Sequence, residues 1–277
     1  MTERAVAFGA HSALIGVVCE PTAPAGVRRA VLMANIGMHH RVGPSRLYVE
    51  LARALATSGL FVLRFDLSGM GDSAPRRDGT SSNDSALRDL DSAMTFMTSN
   101  CGIAEFVLVG LCSGVDGVHA AAACDARVRG AVFIDGYSYP TTGFLARHAI
   151  LRPLQPGRWM RYARRLVRGQ ARRNTAARDA TVFAREEPSR AQFAVDLLAM
   201  TARRARLLFI YTGGATSRFN APRQLAEMLG RASLPAGVDC VLLPHADHVF
   251  SRTDQRRLLC ERITGWCAAL PAEAPAG

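Results

Sequence analysis

Cys112 sits midway between Gly110 and Gly114 in the string Val107-Leu108-Val109-Gly110-Leu111-Cys112-Ser113-Gly114, where an apolar, strand-like run gives way to alanine-rich helical sequence. This spacing predicts a tight strand-to-helix elbow. Side chains at 110 and 114 are expected to collide with the neighbouring strand or helix, so that glycine is required at both. The thiol at the centre is then presented rather than packed. At a helix N-terminus, unpaired N–H groups and the helix dipole favour a thiolate and, later, an oxyanion. That is chemistry for attacking a carbonyl carbon. Ser113 is the rival nucleophile, but it adjoins Gly114 directly, whereas Cys112 lies two residues from each glycine. Its expected contribution is a backbone N–H aimed into an oxyanion hole. The plainer alternative, a cysteine that only fills space, is disfavoured by the agreement of apolar run, glycines and helix.

A thiol becomes a competent nucleophile when a base takes its proton or an ion pair holds the thiolate, and histidine does either near neutral pH. Of the seven histidines, His248 is the best placed. It follows the apolar stretch Val238–Leu243 by five residues, which predicts a loop at the sheet edge where Cys112 also emerges. His39 and His40 fall in the loop after the run 30–35, His119 inside the helix behind the elbow, and His245 before the loop tip. His11 and His148 belong to no pattern.

The elements that must hold these groups read as follows. Alternating apolar stretches near 6–8 and 14–18 predict an opening antiparallel hairpin. Strand 30–35, helix 44–58, strand 61–66, helix 85–98, strand 106–109, helix 113–123 and strand 128–135 come next, and strand 207–211, helix 221–229, strand 238–243 and helix 253–269 close the chain. Strand-helix alternation gives a mostly parallel sheet covered on both faces, with reactive groups collecting where strands end. An arginine-studded helical stretch interrupts the rhythm. The expected organisation is a core over 1–138, an arginine-rich helical cap over 139–205, the rest of the core over 206–270 and a frayed tail over 271–277.

Taken together, these features resemble the α/β-hydrolase superfamily. The elbow carries the resemblance first. The string Asp66-Leu67-Ser68-Gly69-Met70-Gly71-Asp72-Ser73 is similar to that family's Asp-x-x-Gly-x-Gly-x-Ser turn after its fourth strand, and Ala246-Asp247-His248 to its histidine loop. The string Asn35-Ile36-Gly37-Met38-His39-His40-Arg41-Val42-Gly43-Pro44 resembles a bacterial subgroup of exosortase-associated or serine-aminopeptidase-like hydrolases, and the layout also resembles type II thioesterases. The resemblance implies an eight-stranded, mostly parallel sheet with helices on both faces and a cap inserted after the sixth strand. It also implies an oxyanion hole formed by the N–H of Ser113 with that of Ile36 or Gly37. In most relatives an acid follows the seventh strand, but no Asp or Glu occurs from 197 to 226 here. Asp135, ending the sixth strand, occupies the alternative position, where it could orient His248 or simply cap the turn. Asp66 and Asp72 are assigned to loop structure. Met38 and His39 in the loop after the third strand, Tyr137 after the sixth, and Arg161 and Arg165 in the cap are the residues expected to meet substrate.

Composition narrows the partners. A chain of 277 residues that is 49% hydrophobic can bury a full core. No apolar run approaches the roughly 18–20 residues of a membrane helix, and the N-terminal residues lack a secretory signal, so a cytoplasmic location and no membrane partner are expected. Seven cysteines without Cys-x-x-Cys spacing argue against a disulfide framework or a zinc site. No Gly-x-Gly-x-x-Gly follows a first strand, so no organic cofactor is expected. All 34 basic residues are arginine, and between 147 and 206 fifteen of them face only four acids, while the remainder of the chain is balanced. One strongly cationic segment on a neutral body points to an anionic partner or to a solvated helical face. Few aromatics interleave these arginines, which disfavours nucleic acid.

The expected activity is acyl hydrolysis or acyl transfer on an ester or thioester through acyl-Cys112. A small-molecule acyl group, or one carried by CoA or an acyl-carrier protein, would supply the anionic partner. A dienelactone-hydrolase-like lactonase, which also uses Gly-x-Cys-x-Gly, and a non-catalytic binding protein of the same fold are the alternatives.

Overall fold

The computed structural model describes residues 1–24, 28–37, 39–151 and 187–271. Exposure along β1 (Thr2–Phe8) is high, as on an edge strand, and β2 (Leu14–Glu20) alternates more regularly. By contrast, β3 (Arg29–Ala34), β4 (Phe61–Phe65), β5 (Glu105–Leu111), β6 (Val128–Ile134) and β7 (Arg206–Thr212) are buried at nearly every position, as central strands covered on both faces must be. β8 (Val238–Leu243) closes the far edge. The order is β1-β2-β4-β3-β5-β6-β7-β8. β1 and β2, and β2 and β4, pair antiparallel, and every other neighbouring pair is parallel. This is the mostly parallel, eight-stranded architecture that the resemblance implies.

The helices are α1 (Leu47–Thr57), α2 (Ser82–Cys101), α3 (Gly114–Cys124), α4 (Thr142–Leu151), α5 (Arg190–Ala202), α6 (Arg223–Met228) and α7 (Thr253–Ala268). Period-two alternation divides the core. Leu32, Phe65, Leu108, Phe133 and Phe209 pack with α2, α3 and α5, whereas Val31, Met33, Val109, Ile134 and Ile210 face α1 and α7. The two layers explain where a site forms. The chain leaves β3 toward α1 on one face and leaves β5 toward α3 on the other, so a crevice opens between the carboxyl ends of these adjacent strands.

Two helix boundaries depart from expectation. The first helix does not run continuously from 44: a short 3-10 turn, Pro44–Arg46, precedes α1, with Ser45 and Arg46 at φ of 50° and 65°. The kink brings the Tyr48 N–H to Val42 O at 3.1 Å and seats its ring against Gly43, where a Cβ would lie 3.0 Å from Tyr48 Cγ. α2 starts earlier than expected because the Ser81 hydroxyl accepts from the Asp84 N–H, an N-cap outside the apolar periodicity. Of the expected cap, α4 and α5 fall within the described residues, and 152–186, with Arg161 and Arg165, lies outside them. Met38 also lies outside. No helix among the described residues is long and apolar enough to cross a membrane. All seven cysteines are free thiols.

Candidate active site

The elbow is built as its glycine spacing demands at one end only. A Cβ at Gly110 would stand 2.6 Å from Gly114 O and 2.9 Å from Val115 N, contacts that backbone cannot relieve. A Cβ at Gly114 would meet only Asn35 O at 3.4 Å, so the collision expected there does not occur. The difference follows from direction: position 110 faces the returning first turn of α3, whereas 114 faces the end of β3. Between them Cys112 adopts φ 55°, the left-handed region that disfavours ordinary side chains. Cys112 N–H donates to Ile134 O at 2.9 Å, tying the elbow to β6. The thiol is half-buried, and Tyr48 is fully buried beneath the same strand end. Burial pushes the Tyr48 phenol up, the nearby Leu111 backbone opposes this, and the nearby Cys112 charge adds to the rise.

Asp135 follows β6 directly and also has a left-handed backbone, φ 47°, with its N–H donating to Ile210 O at 2.8 Å. Its buried Oδ2 lies 2.8 Å from His248 Nδ1. The opposite ring nitrogen is thereby left for Cys112, whose thiol hydrogen-bonds the imidazole. These contacts raise the His248 pKa from 6.5 to about 10: the Asp135 hydrogen bond contributes most, then that of Cys112, with partial burial opposing both. The loop is fixed by Asp247, whose carboxylate accepts from Val249 N–H at 3.0 Å and from the Ser251 hydroxyl at 2.6 Å. Cys112, His248 and Asp135, expected from separate stretches of sequence, therefore meet in one line.

On the other side of Cys112, the loop after β3 bends so that Gly37 N–H donates to Ser113 Oγ at 2.9 Å. That N–H is occupied. Among the described residues no partner engages the N–H of Ser113, and Ile36 forms an isolated antiparallel β-bridge with His39. His39 is exposed beside them and pairs with Ile36 through the backbone at 2.8 Å. Tyr137 is buried, and its hydroxyl donates to Asp116 at 2.7 Å, which makes it a packed wall behind the site. His119 is buried against Phe193 and bonds Asp196 at 2.9 Å, bracing α3 against α5.

Asp66 and Asp72 serve the loop, as expected. Asp66 accepts from the Arg41 backbone N–H at 2.6 Å and its carboxylate pairs with the Arg41 guanidinium, and Arg41 also pairs with Asp72 at 2.8 Å. Hydrogen bonds from Arg41 and His40 hold the Asp72 carboxyl below its usual value. His40, Asp66 and Asp72 converge closely enough to hold a metal ion, but Arg41 already supplies the cation among them.

Thr212 opens the acid-free stretch after the apolar run 207–211, and the sequence alone assigns it no role. At the end of β7 it donates its backbone N–H to Asp135 Oδ1 at 2.7 Å and its hydroxyl to Oδ2 at 2.6 Å. The available signal was a polar residue closing an apolar strand beside an empty acid position.

Residues 31–261 match the sequence model of the alpha/beta hydrolase family. No curated protein matches the chain in sequence. Among solved structures, an esterase from Pyrococcus furiosus superposes with a TM-score of 0.66 at 14% identity, covering 98% of this chain and 92% of that one. The esterase domain of a Rhodothermus marinus protein gives 0.58 at 19% identity, covering 96% and 98%. A dienelactone hydrolase from Anabaena variabilis gives 0.59 at 16% identity, covering 98% and 99%.

Proposed function

Because the chain belongs to the alpha/beta hydrolase family, we propose that it is an acyl hydrolase or acyltransferase acting on esters or thioesters through a covalent acyl-Cys112 intermediate. The observation that carries this reading is the contact chain from buried Asp135 through His248 to a half-buried thiol on a left-handed elbow. An imidazolium beside a thiol favours the thiolate, the form that attacks. The thiolate adds to the carbonyl carbon, forming a C–S bond and placing negative charge on the carbonyl oxygen. The N–H groups of Ser113 and Ile36 receive that charge. Of the two loop candidates Ile36 is preferred, since Gly37 N–H is engaged by the Ser113 hydroxyl. Collapse breaks the bond to the alcohol or thiol, which leaves with the proton of His248. Water, an amine or a thiol then gives its proton back to His248 and attacks the thioester, releasing Cys112 as thiolate. In this proposal His39 meets the substrate, and Arg161 and Arg165 of the arginine-rich segment are the residues assigned to an anionic acyl carrier.

The test is intact mass after brief mixing with a p-nitrophenyl ester. One acyl adduct mapping to Cys112, with turnover abolished in Cys112→Ala, supports the reading. Wild-type turnover in Cys112→Ala with loss in Ser113→Ala would transfer the role to the serine. A lactone in the substrate panel tests the dienelactone-hydrolase-like alternative, which differs only in that leaving group and acyl group stay joined. Absence of any adduct would favour a binding protein.

A further inference from the structure

The carboxylate that orients His248 is itself held from one residue. Thr212 and Asp135 are fully buried at the ends of the adjacent strands β7 and β6. The threonine places its N–H on Oδ1 at 2.7 Å and its hydroxyl on Oδ2 at 2.6 Å, the oxygen that also meets His248 Nδ1 at 2.8 Å. The Thr212 hydroxyl in turn accepts Gly214 N–H at 3.2 Å, which directs its own proton toward the carboxylate. We propose that Thr212 is a positioning residue for acyl transfer, a two-pronged clamp that sets the plane of the Asp135 carboxylate and thereby the His248 ring.

The inference rests on the acyl-Cys112 reading above. Rotation of a carboxylate about its terminal torsion is soft and roughly two-fold, so a single bond to a histidine does not define its plane. His248 is also 39% exposed and cannot act as the rigid member. One donor on each oxygen, both from a buried residue, removes that freedom. The neighbouring glycines explain why the acid comes from β6. A Cβ at Gly213 would lie 2.2 Å from Pro244 O, and one at Gly214 3.0 Å from His248 N. The turn after β7 therefore lies flush against the histidine loop, admits no side chain at Gly213 and leaves only tight clearance at Gly214, so a carboxylate borne there would crowd the loop.

The competing role is local: Thr212 caps the 3-10 turn Gly213–Ala215. A cap alone would change melting temperature and leave the chemistry as it was. Thr212→Val and Thr212→Ser are compared for kcat and KM on a p-nitrophenyl ester, and for the pH profile of Cys112 alkylation by iodoacetamide, mapped by peptide mass. Loss of a hydrogen bond to a charged group predicts that Thr212→Val lowers kcat about ten-fold or more with KM unchanged. Wild-type alkylation should be flat from about pH 6.5 to 9, and Thr212→Val should restore a rise toward the ordinary thiol value of about 8.5. Thr212→Ser should recover both. Should Thr212→Val fail to fold, Thr212→Ala supplies the hydroxyl deletion. Wild-type kcat and a flat profile in the deletion variant, with only a lower melting temperature, would overturn the proposal while leaving the acyl-Cys112 reading intact. So would a serine variant as impaired as the valine one. A wild-type profile that itself rises near about pH 8.5 would overturn the proposal, since no ion pair is then held for the clamp to position, and would leave acylation of Cys112 by general base standing.

Discussion

At the scale of single residues, the chemistry turns on which protons His248 keeps. Its pKa rises from 6.5 to about 10 through Asp135 first and Cys112 second, so the folded protein binds a proton there that the unfolded chain releases across this interval. The sign follows: the stabilisation is complete below pH 6.5 and is lost as pH climbs through about 10. With 39% of the imidazole side chain open to solvent, water screens the pair and the margin is small. Replacing His248 by Gln should therefore lower the melting temperature at pH 6 and leave it near wild type at pH 10, as differential scanning calorimetry would record. A gap that widens with pH contradicts the assignment of the proton to His248. Rates should separate the roles further. His248→Ala should remove most turnover, whereas Asp135→Asn should cost less than the roughly 10⁴-fold of the corresponding change in a serine triad, because a thiol is the stronger acid and nucleophile to begin with. Equal losses in the two variants would mean a tightly coupled triad instead.

Secondary-structure elements decide which of these residues the sequence could announce. The elbow was legible because its signals are local: an apolar run, glycines two residues either side of Cys112, and a helix that follows. His248 was legible for the same reason, five residues beyond Val238–Leu243. Thr212 was not, because its role exists only once β6 and β7 pair with Ile134 beside Ile210, which sets Asp135 against the end of β7. The turn at Ser45 and Arg46 was hidden too, since two left-handed residues there are imposed by the packing of Tyr48 and not by any glycine at those positions. Even in the elbow, the symmetric glycine spacing of the sequence hides an asymmetric packing. Gly110→Ala should lower stability by several kcal/mol, on the order of a severe overpacking or worse, because its Cβ meets backbone at 2.6 Å. Gly114→Ala should be neutral to stabilising by up to about 1 kcal/mol, since it adds a better helix former with 3.4 Å of clearance and no left-handed φ. Thermal unfolding of the two alanine variants decides this, and comparable destabilisation in both would restore the symmetric reading.

Across the whole molecule, charge is the least evenly distributed property. The net formal charge is +11, and the segment 147–206 accounts for that excess with fifteen arginines and four acids. Several of those arginines are already engaged in the fold. Arg147 pairs with Glu227 at 2.7 Å, Arg190 donates to Met228 O at 2.7 Å, Arg203 to Ala122 O at 2.6 Å, and Arg206 lies 3.5 Å from Asp239. Ten of the fifteen fall in 152–186 against two acids, so the cationic excess that an anionic substrate would meet belongs to that stretch. If it recruits an acyl group carried by CoA or a carrier protein, kcat/KM for such a thioester should fall with ionic strength, because exposed charges are screened over about 8 Å at physiological salt. Replacing Arg161, Arg164, Arg165 and Arg168 by glutamine should raise KM for acyl-CoA yet spare a small neutral ester, which gains nothing from the field while Cys112 and His248 remain in place. Steady-state kinetics on the two substrates at low and high salt separate the possibilities. An equal loss on both would mean that this stretch acts by covering the site, and a salt-independent thioester rate would remove the anionic partner from the account.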